Sequence, residues 1–520
     1  MKRLIVKKDS YYDSVFLMLI SRELKGEPGV TDAIVAMATD MNRELLGNLG
    51  YDPASLSGLS ANDLLVAVDA SDGASCEKAA AKAEELINRK KTKAAAGGIP
   101  KVGSLDAAAR ANPDANLAVI SLPGAFAARE ARKALERGLH VMLFSDNVSL
   151  EEEVALKELA ASKGLLLMGP DCGTSIVGGH PICFANVVKR GSVGIVAASG
   201  TGLQEVSCLV DRYGSGVSQG IGTGGRDLKN AKVGGRTMLL AIEALIRDPA
   251  TKVIVVVSKP PAADMASKVV DTLKAGGKAA VVHFLGTVPA TASDGAVRFA
   301  LNLEEAARLA SAIDQGKAPA PSAEGTDPAS LEALAAREAA KVGKGQKWLR
   351  GLYTGGTLAD EALFLLDRPL GGVWSNNQTD PKKVPSDPHT SVKHTIVDLG
   401  DDCFTVGRPH PMIEPSTRVE RLEAEGNDPE VACLLLDCVI GFGSHPDPAG
   451  AMASAIVEAR EKAARRGGYL PVIASVTGTP GDYQGMAAQK AALEAAGATV
   501  MPSNYAASML ALEIMRKVIG

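Results

Sequence analysis

Aromatic residues are scarce: Phe, Tyr and Trp make up 4% of the chain, with two tryptophans in 520 residues. Alongside 54 glycines and an apolar fraction of 46%, that scarcity suits α/β layers built from Ala, Val and Gly. A basic excess is missing as well. The 56 Lys and Arg face 60 Asp and Glu for a net charge of −4, which leaves no electrostatic footprint for nucleic acid. No apolar run reaches membrane-spanning length, because each is strand-length and ends at Pro, Gly or charge. The opening MKRLIVKKDS returns to Lys7 and Lys8 before a signal-peptide core can form, so a cytoplasmic chain is expected. None of the seven cysteines pairs as Cys-x-x-Cys, which fits a reduced protein with buried thiols.

At this length one core is not enough, and several domains are expected. Residues 1–95 predict a small α+β domain of ferredoxin or ACT type, followed by a linker over 91–103. Residues 104–189 alternate strands and helices, which predicts a Rossmann-like, doubly wound sheet of CoA-binding type. Ser149 precedes its helix with Glu152 three residues on, in capping-box spacing. Ligands of such sheets sit at the strand carboxyl ends, where Ser121, Pro123, Ser145 and Asn147 are the cofactor-binding candidates. Residues 190–315 predict a flavodoxin-like domain, 314–347 a Pro- and Ala-rich linker, and 348–520 a second flavodoxin-like domain with an insertion over 370–418.

The central stretch is VGIVAASGTGLQE, residues 193–205: a buried strand, a Ser199-Gly200-Thr201-Gly202 turn and a helix. A second copy follows in WLRGLYTGGTLADEA, with Thr354-Gly355-Gly356-Thr357 as its turn. Turns of this kind aim backbone N–H groups and a helix N-terminus at one spot, favourable for phosphate or carboxylate. Two related domains can pack about a pseudo-twofold axis and bring both helix ends to one point. The hydroxyls in these turns either bind such an oxyanion or only cap their helices. Arg226 with Asp227 suits either a substrate carboxylate or an internal salt bridge. Arg408 and His410 are the candidates for an oxyanion or carbonyl contact. His445 lies at a strand end in GFGSHPDPAG, as ligand or turn residue, and Asp398, Asp401 and Asp402 suit either Mg²⁺ or an acidic turn.

VGIVAASGT, IGTGGRD, IRDPATKVIVVV and MGPDCGT resemble the α subunit of succinyl-CoA synthetase and the NDP-forming acyl-CoA synthetases over 105–315. Residues 348–520 resemble the CoA-ligase domain of the same enzyme's β subunit. YYDSVFLMLISREL, NLAVISLPG, VMLFSDNVSLEEE, SKPPA, GLYTGGTLADEA and TVGRPHPMI resemble the FdrA family of acyl-CoA synthetase-like proteins. That resemblance implies a subunit of an oxamate carbamoyltransferase in anaerobic allantoin breakdown, working with companion subunits on a small oxyanion substrate and assembling as a homo-oligomer. It leaves the cofactor open, with CoA or Mg²⁺ as the options. The acyl-CoA synthetases carry a phosphorylated histidine in a loop after the strand matching KAAVVHFLG, and an acidic partner for it. Here that loop, TVPATASDGAVRFALN, has no histidine, and Ser258-Lys259-Pro260-Pro261 stands where the acid falls. His283 lies inside the strand pattern. An acid–thiol ligase with a displaced nucleophile and a non-catalytic scaffold are the alternatives.

Overall fold

The computed structural model describes residues 1–8, 10, 12, 14–93, 102–405 and 408–520. They form two compact units: Met1–Gly103 with Val406–Pro409, and Ser104–Thr405 with His410–Gly520. Residues 94–101 of the expected linker, and Tyr11 and Asp13 at the start of the first expected helix, lie outside the described residues.

The first unit runs β1 (Lys2–Lys7), α1 (Ser14–Lys25), β2 (Val30–Met37), α2 (Asp40–Asn48), α3 (Pro53–Leu56), β3 (Leu64–Ala70) and α4 (Gly73–Lys93). β3 lies antiparallel between β1 and β2, a split β-α-β arrangement. Its residues alternate between two cores. Leu64, Val66 and Val68 face the cluster containing Leu17 and Ala79, and Leu65 and Ala67 face the one containing Leu46 and Leu56.

The second unit opens with α5 (Leu105–Ala111), β4 (Leu117–Ile120), α6 (Gly124–Glu136), β5 (His140–Leu143), α7 (Leu150–Ser162) and β6 (Leu167–Met168). The three strands are parallel and lie in chain order. Right-handed crossovers in one direction put α6 and α7 on one face, where Ala127, Ala131, Leu135 and Leu156 are buried. Met142 and Met168 turn to the core of the next sheet. The doubly wound sheet expected here is therefore wound on one side only. The domain end expected near Lys189 also moves. β7 (Thr174–Val177) and β8 (His180–Cys183) form a hairpin that extends the following sheet, since Ile176 pairs with Gly220 and is fully buried in that sheet's core.

That sheet is built from β9 (Arg190–Ala198), α8 (Gly200–Arg212), β10 (Val217–Gly222), α9 (Arg236–Arg247), β11 (Val253–Ser258), α10 (Ala263–Gly276), β12 (Ala279–Phe284), β13 (Ser293–Asp294), β14 (Val297–Phe299) and α11 (Leu303–Asp314). After α12 (Pro328–Ala339) come β15 (Trp348–Tyr353), α13 (Gly356–Leu366), β16 (Thr395–Asp398), α14 (Asp402–Thr405), α15 (Ser416–Asn427), β17 (Val431–Val439), α16 (Pro448–Arg465), β18 (Val472–Thr477), α17 (Met486–Ala495), β19 (Thr499–Met501) and α18 (Asn504–Ile519). The parallel strands run β10-β9-β11-β12-β14 in the first half and β16-β15-β17-β18-β19 in the second. Both are the flavodoxin-like order 2-1-3-4-5.

Two expectations change here. The stretch 370–418 is not simply an insertion, because it holds β16, the second strand of its half, paired to β15 from Arg350 to Tyr353. The linker 314–347 carries α12, whose Leu331 and Ala335 are buried in the core shared by both halves.

The halves meet through α8 and α11 of one and α13 and α18 of the other, with Leu203, Val206, Leu358, Ala362, Leu510 and Ile514 in a common core. Their polar joint is reciprocal. Glu205 of α8 accepts from the Asn504 amide at the start of α18 (3.0 Å) and from Thr477 Oγ1 (2.6 Å). Glu361, at the equivalent place in α13, accepts from the Leu303 amide at the start of α11 (2.8 Å) and from Asn504 Nδ2 (2.8 Å). Each glutamate thus satisfies a helix-end amide of the opposite half.

Burial pushes the Glu361 carboxyl up from 4.5 to about 7. Folding therefore favours its protonated form, so its contribution is best below about pH 4.5 and declines as pH rises toward 7. Glu361→Gln should remove this decline. Relative to wild type it should gain of the order of 3 kcal/mol on passing from about pH 4 to about pH 8, measured by urea unfolding at both values.

Candidate functional site

The two glycine turns touch. Ser199, the N-cap of α8, accepts the Gly202 amide (3.0 Å) and shares a 2.6 Å hydrogen bond with Thr357 Oγ1 of α13. Thr201 Oγ1 accepts the Thr357 amide at 3.3 Å. A Cβ on Gly355 would lie 2.9 Å from Thr201 Cγ2, so glycine is required for the tips to approach this closely. The hydroxyls of Ser199, Thr201 and Thr357 are thus engaged in capping and in joining the tips.

Two partly positive helix ends in contact repel, each carrying roughly half a charge. At α13 the protein supplies its own anions. Asp437, fully buried on β17, accepts the Thr354 amide (3.0 Å), the Gly355 amide (2.8 Å) and the Thr354 hydroxyl (3.2 Å). Arg418 of α15 pairs with it at 2.9 Å. Asp398, at the end of β16, sits against Gly356, where a Cβ would meet its Oδ2 at 2.5 Å. At α8 the arrangement differs. Gly200 is exposed and Thr201 half-buried, and no described residue accepts the Gly200 or Thr201 amide. Beside them lies Thr174, 1% exposed, whose hydroxyl has no hydrogen-bond partner and stands 3.4 Å from where a Gly200 Cβ would be. An unpaired buried hydroxyl at an open helix end is a vacancy for an acceptor-rich group.

Lys259, from the Ser-Lys-Pro-Pro turn after β11, pairs with Asp360 Oδ2 at 2.6 Å. Asn377 Nδ2 bridges Asp360 Oδ1 (2.9 Å) and Asp398 Oδ2 (3.2 Å), and the Gly400 amide holds Asp398 Oδ1 at 2.9 Å. Burial pushes Asp398 up to about 7, against the pull of Lys259. Asp171, which follows β6, is pushed up to about 6 by burial and by Asp146. Asp398, poised near neutrality, therefore sits against the tip of α13 with the Lys259–Asp360 pair beside it. Among the described residues, no group of three or more His, Cys, Asp or Glu side chains is arranged to hold a metal ion.

His410 lies at this site, with Nε2 2.5 Å from where a Gly400 Cβ would be. Its Nδ1 accepts the Met412 amide at 3.2 Å, which leaves the proton of the neutral ring on Nε2. Burial holds its pKa down to about 4, so it is a neutral donor. Phe184 lies 5.9 Å from the His410 ring and 5.7 Å from that of Phe144. Arg408 does not share the unit of His410, since it groups with the first one, and Val406 and Gly407 beside it lie outside the described residues. His283 is buried, bonded to the Ala300 carbonyl at 2.9 Å, with its pKa held down to about 4.

Other expected residues are used internally. Arg226 pairs with Glu153 at 2.7 Å and donates to the Val148 carbonyl. Asp227 accepts Lys157 Nζ and the Thr237 and Met238 amides at the start of α9. His445 Nδ1 accepts the Asp447 amide, and Asp447 caps α16. Ser145 accepts the Leu122 amide at 2.9 Å, Pro123 is the N-cap of α6, and Asn147, at φ 53°, crowds Gly124 with its carbonyl. Ser121 is exposed beside them. Sequence reasoning did not assign roles to Thr174, Asp360, Asn377 or Asp437. Only Asp437 carried a signal, a lone acid inside the apolar run LLLDC.

Asp437→Asn should leave Arg418 buried without a counter-charge and destabilise the protein by about 3–5 kcal/mol. Denaturant unfolding measures the loss.

Residues 352–514 match the CoA-ligase family (Ligase_CoA), and residues 1–101 match the "AllF, heavy metal-associated domain" family. A soft metal does not fit the first unit, which has no histidine and one cysteine, Cys76, buried with its Sγ directed to the Met1 carbonyl. The α subunit of ADP-forming succinate–CoA ligase from Aquifex aeolicus (strain VF5) is 30% identical over 168 residues, 31% of this chain and 53% of that one. The match therefore spans about half of that relative. The dinucleotide-forming acetyl-coenzyme A synthetase 1 of Ca. Korarchaeum cryptofilum, in complex with phosphate and ADP, superposes with a TM-score of 0.32 at 17% identity, over 81% of this chain and 86% of that one. So loose a superposition carries no argument, and the fold rests on the strand orders above. YahF of Escherichia coli (strain K12), an uncharacterized protein, is 45% identical over 517 residues, 99% of each chain. With its acyl-CoA synthetase-like scaffold, the chain belongs to the YahF family.

Proposed function

We propose that this protein is the acyl-CoA synthetase-like subunit of a multi-subunit carbamoyltransferase of the FdrA type. It converts oxalurate and phosphate to oxamate and carbamoyl phosphate, with companion subunits, in the cytoplasm. The observation that carries the proposal is the open end of α8, where the Gly200 and Thr201 amides and the Thr174 hydroxyl lack acceptors while the end of α13 is filled by Asp437. This is a seat for one phosphate.

The residues around that seat favour direct displacement. His283 is buried in its strand, and His410 keeps its proton on Nε2, the nitrogen that would have to attack. A phosphate oxygen bonds to the carbamoyl carbon, the bond from that carbon to the oxamate nitrogen breaks, and the nitrogen takes up the proton that phosphate gives up. Positioning and hydrogen bonds to the developing oxyanion supply the catalysis, with the His410 Nε2–H as one donor.

An acid–thiol ligase is the alternative, favoured by the CoA-ligase match over 352–514. It needs a phosphoryl carrier, for which His410, packed at Gly400 beside Thr354, is the candidate.

Carbamoyl phosphate should form from oxalurate and phosphate with the full set of subunits, and should be lost when this chain is left out. Thr174→Val should weaken phosphate binding about tenfold, since a hydrogen bond to a charged group is worth about 1.5–3 kcal/mol. It should leave the melting temperature unchanged or higher, because it removes an unpaired buried hydroxyl. No product from the full set, or undiminished product without this chain, rejects the proposal. Acid-labile label from γ-labelled ATP that disappears in His410→Ala selects the ligase instead.

A further inference from the structure

Asp398 is held more firmly than an acidic turn requires. Asn376 brackets its backbone, donating from Nδ2 to the Asp398 carbonyl and accepting the Asp398 amide, both at 3.0 Å. Gly400 and Asn377 fix the two carboxyl oxygens at 2.9 and 3.2 Å. Asn377 also ties Asp398 to the Lys259–Asp360 pair. Glycine at 356 lets the carboxyl reach the tip of α13, and that tip is bonded through Thr357 to Ser199 at the open end of α8. The carboxyl and the phosphate seat therefore lie on either side of one contact.

The chemistry leaves a gap at this place. An amide nitrogen is too basic to leave the carbamoyl carbon as an anion, so a proton must reach it as the bond breaks. On the carbamoyltransferase assignment above, we propose that Asp398 is the catalytic acid that protonates the departing oxamate nitrogen, with Lys259 and Asn377 as its positioning residues. The carboxyl gives its proton to the nitrogen as the carbon–nitrogen bond breaks. The carboxylate then recovers the proton released by the attacking hydrogenphosphate, so the step balances without a co-reactant. In reverse, the carboxylate removes the proton from oxamate. Burial keeps the acid form available near neutral pH. The groups whose charge bears on it are Lys259, Asp360 and Cys403, while Asp171 acts on Lys259 and Asp401 on Cys403, and His410 is neutral at Gly400.

The test uses the full-length chain with its companion subunits, oxalurate and inorganic phosphate. Asp398→Asn should lower kcat at least about 100-fold while KM for phosphate stays within about threefold. Wild-type kcat should fall as pH rises past about 7, and Asp398→Asn should lose that limb. Lys259→Met should move the limb to higher pH, because the cation that favours the carboxylate is gone. Asp398→Glu should keep the limb at a reduced rate, which a merely structural role would not do. Asp398→Asn within threefold of wild type, or a limb that Lys259→Met leaves in place, overturns the inference. If Asp398→Asn does not fold, the limb in Asp398→Glu and Lys259→Met decides. An inactive wild-type complex rejects the carbamoyltransferase assignment itself, and this step with it.

Discussion

Two helix N-termini are pressed together at the centre of the second unit, and the rest of that unit makes the contact tolerable. Left alone, the ends of α8 and α13 would repel, and their first amides would lack acceptors. At α13 Asp437 accepts the end amides, and buried glutamates tie the two halves around the contact. Glu205 and Glu361 occupy the same position in their helices and each binds the opening amide of the other half's last helix. The shared core around Leu203, Leu358 and Leu510 then locks the halves in register. Neither half can shift without exposing that core and orphaning a buried glutamate.

The joint is symmetric in its capping and asymmetric in its charge. Asp437 caps one helix end, with Asp398 packed against it, while the other keeps unclaimed amides and the unpaired hydroxyl of Thr174. Duplication therefore provides two anion-facing turns, of which one is filled by the chain and one is open. Lys259 is held by Asp360 close to Asp398. A fixed cation thus stands beside a buried carboxyl that titrates near neutrality.

Much of the fold was legible because the strands are buried on both faces. Runs such as KVIVVVS and VACLLLDCV mark them, and Gly-rich turns mark the starts of α8 and α13. The strand β16 was hidden, since HTIVD is short and lies in a long irregular stretch. The hairpin of β7 and β8 falls in a stretch that reads as a loop closing the preceding domain, because edge pairing depends on partners distant in sequence. The site was legible at its two turns and not around them. Arg226 and His445 looked like ligands and proved to be bound internally. Thr174 closes the MGPDCGT stretch after a strand, where ligands of such sheets sit, but its unpaired hydroxyl had no local sign, and Asn377 had none at all.

Sequence alone determined the alternation of strand and helix and the repeated glycine turn. Each is local, written in apolar spacing and in residue types that only certain backbone conformations accept. Tertiary structure decided which hydroxyls were already engaged, which helix end stayed open and which carboxyls met the lysine. Those outcomes depend on distances between residues as far apart as Thr174 and Gly200, or Lys259 and Asp360, and on burial that no single segment encodes. Hydrogen-bond satisfaction and charge pairing are properties of the packed whole, so the chemistry of the site appears only after folding.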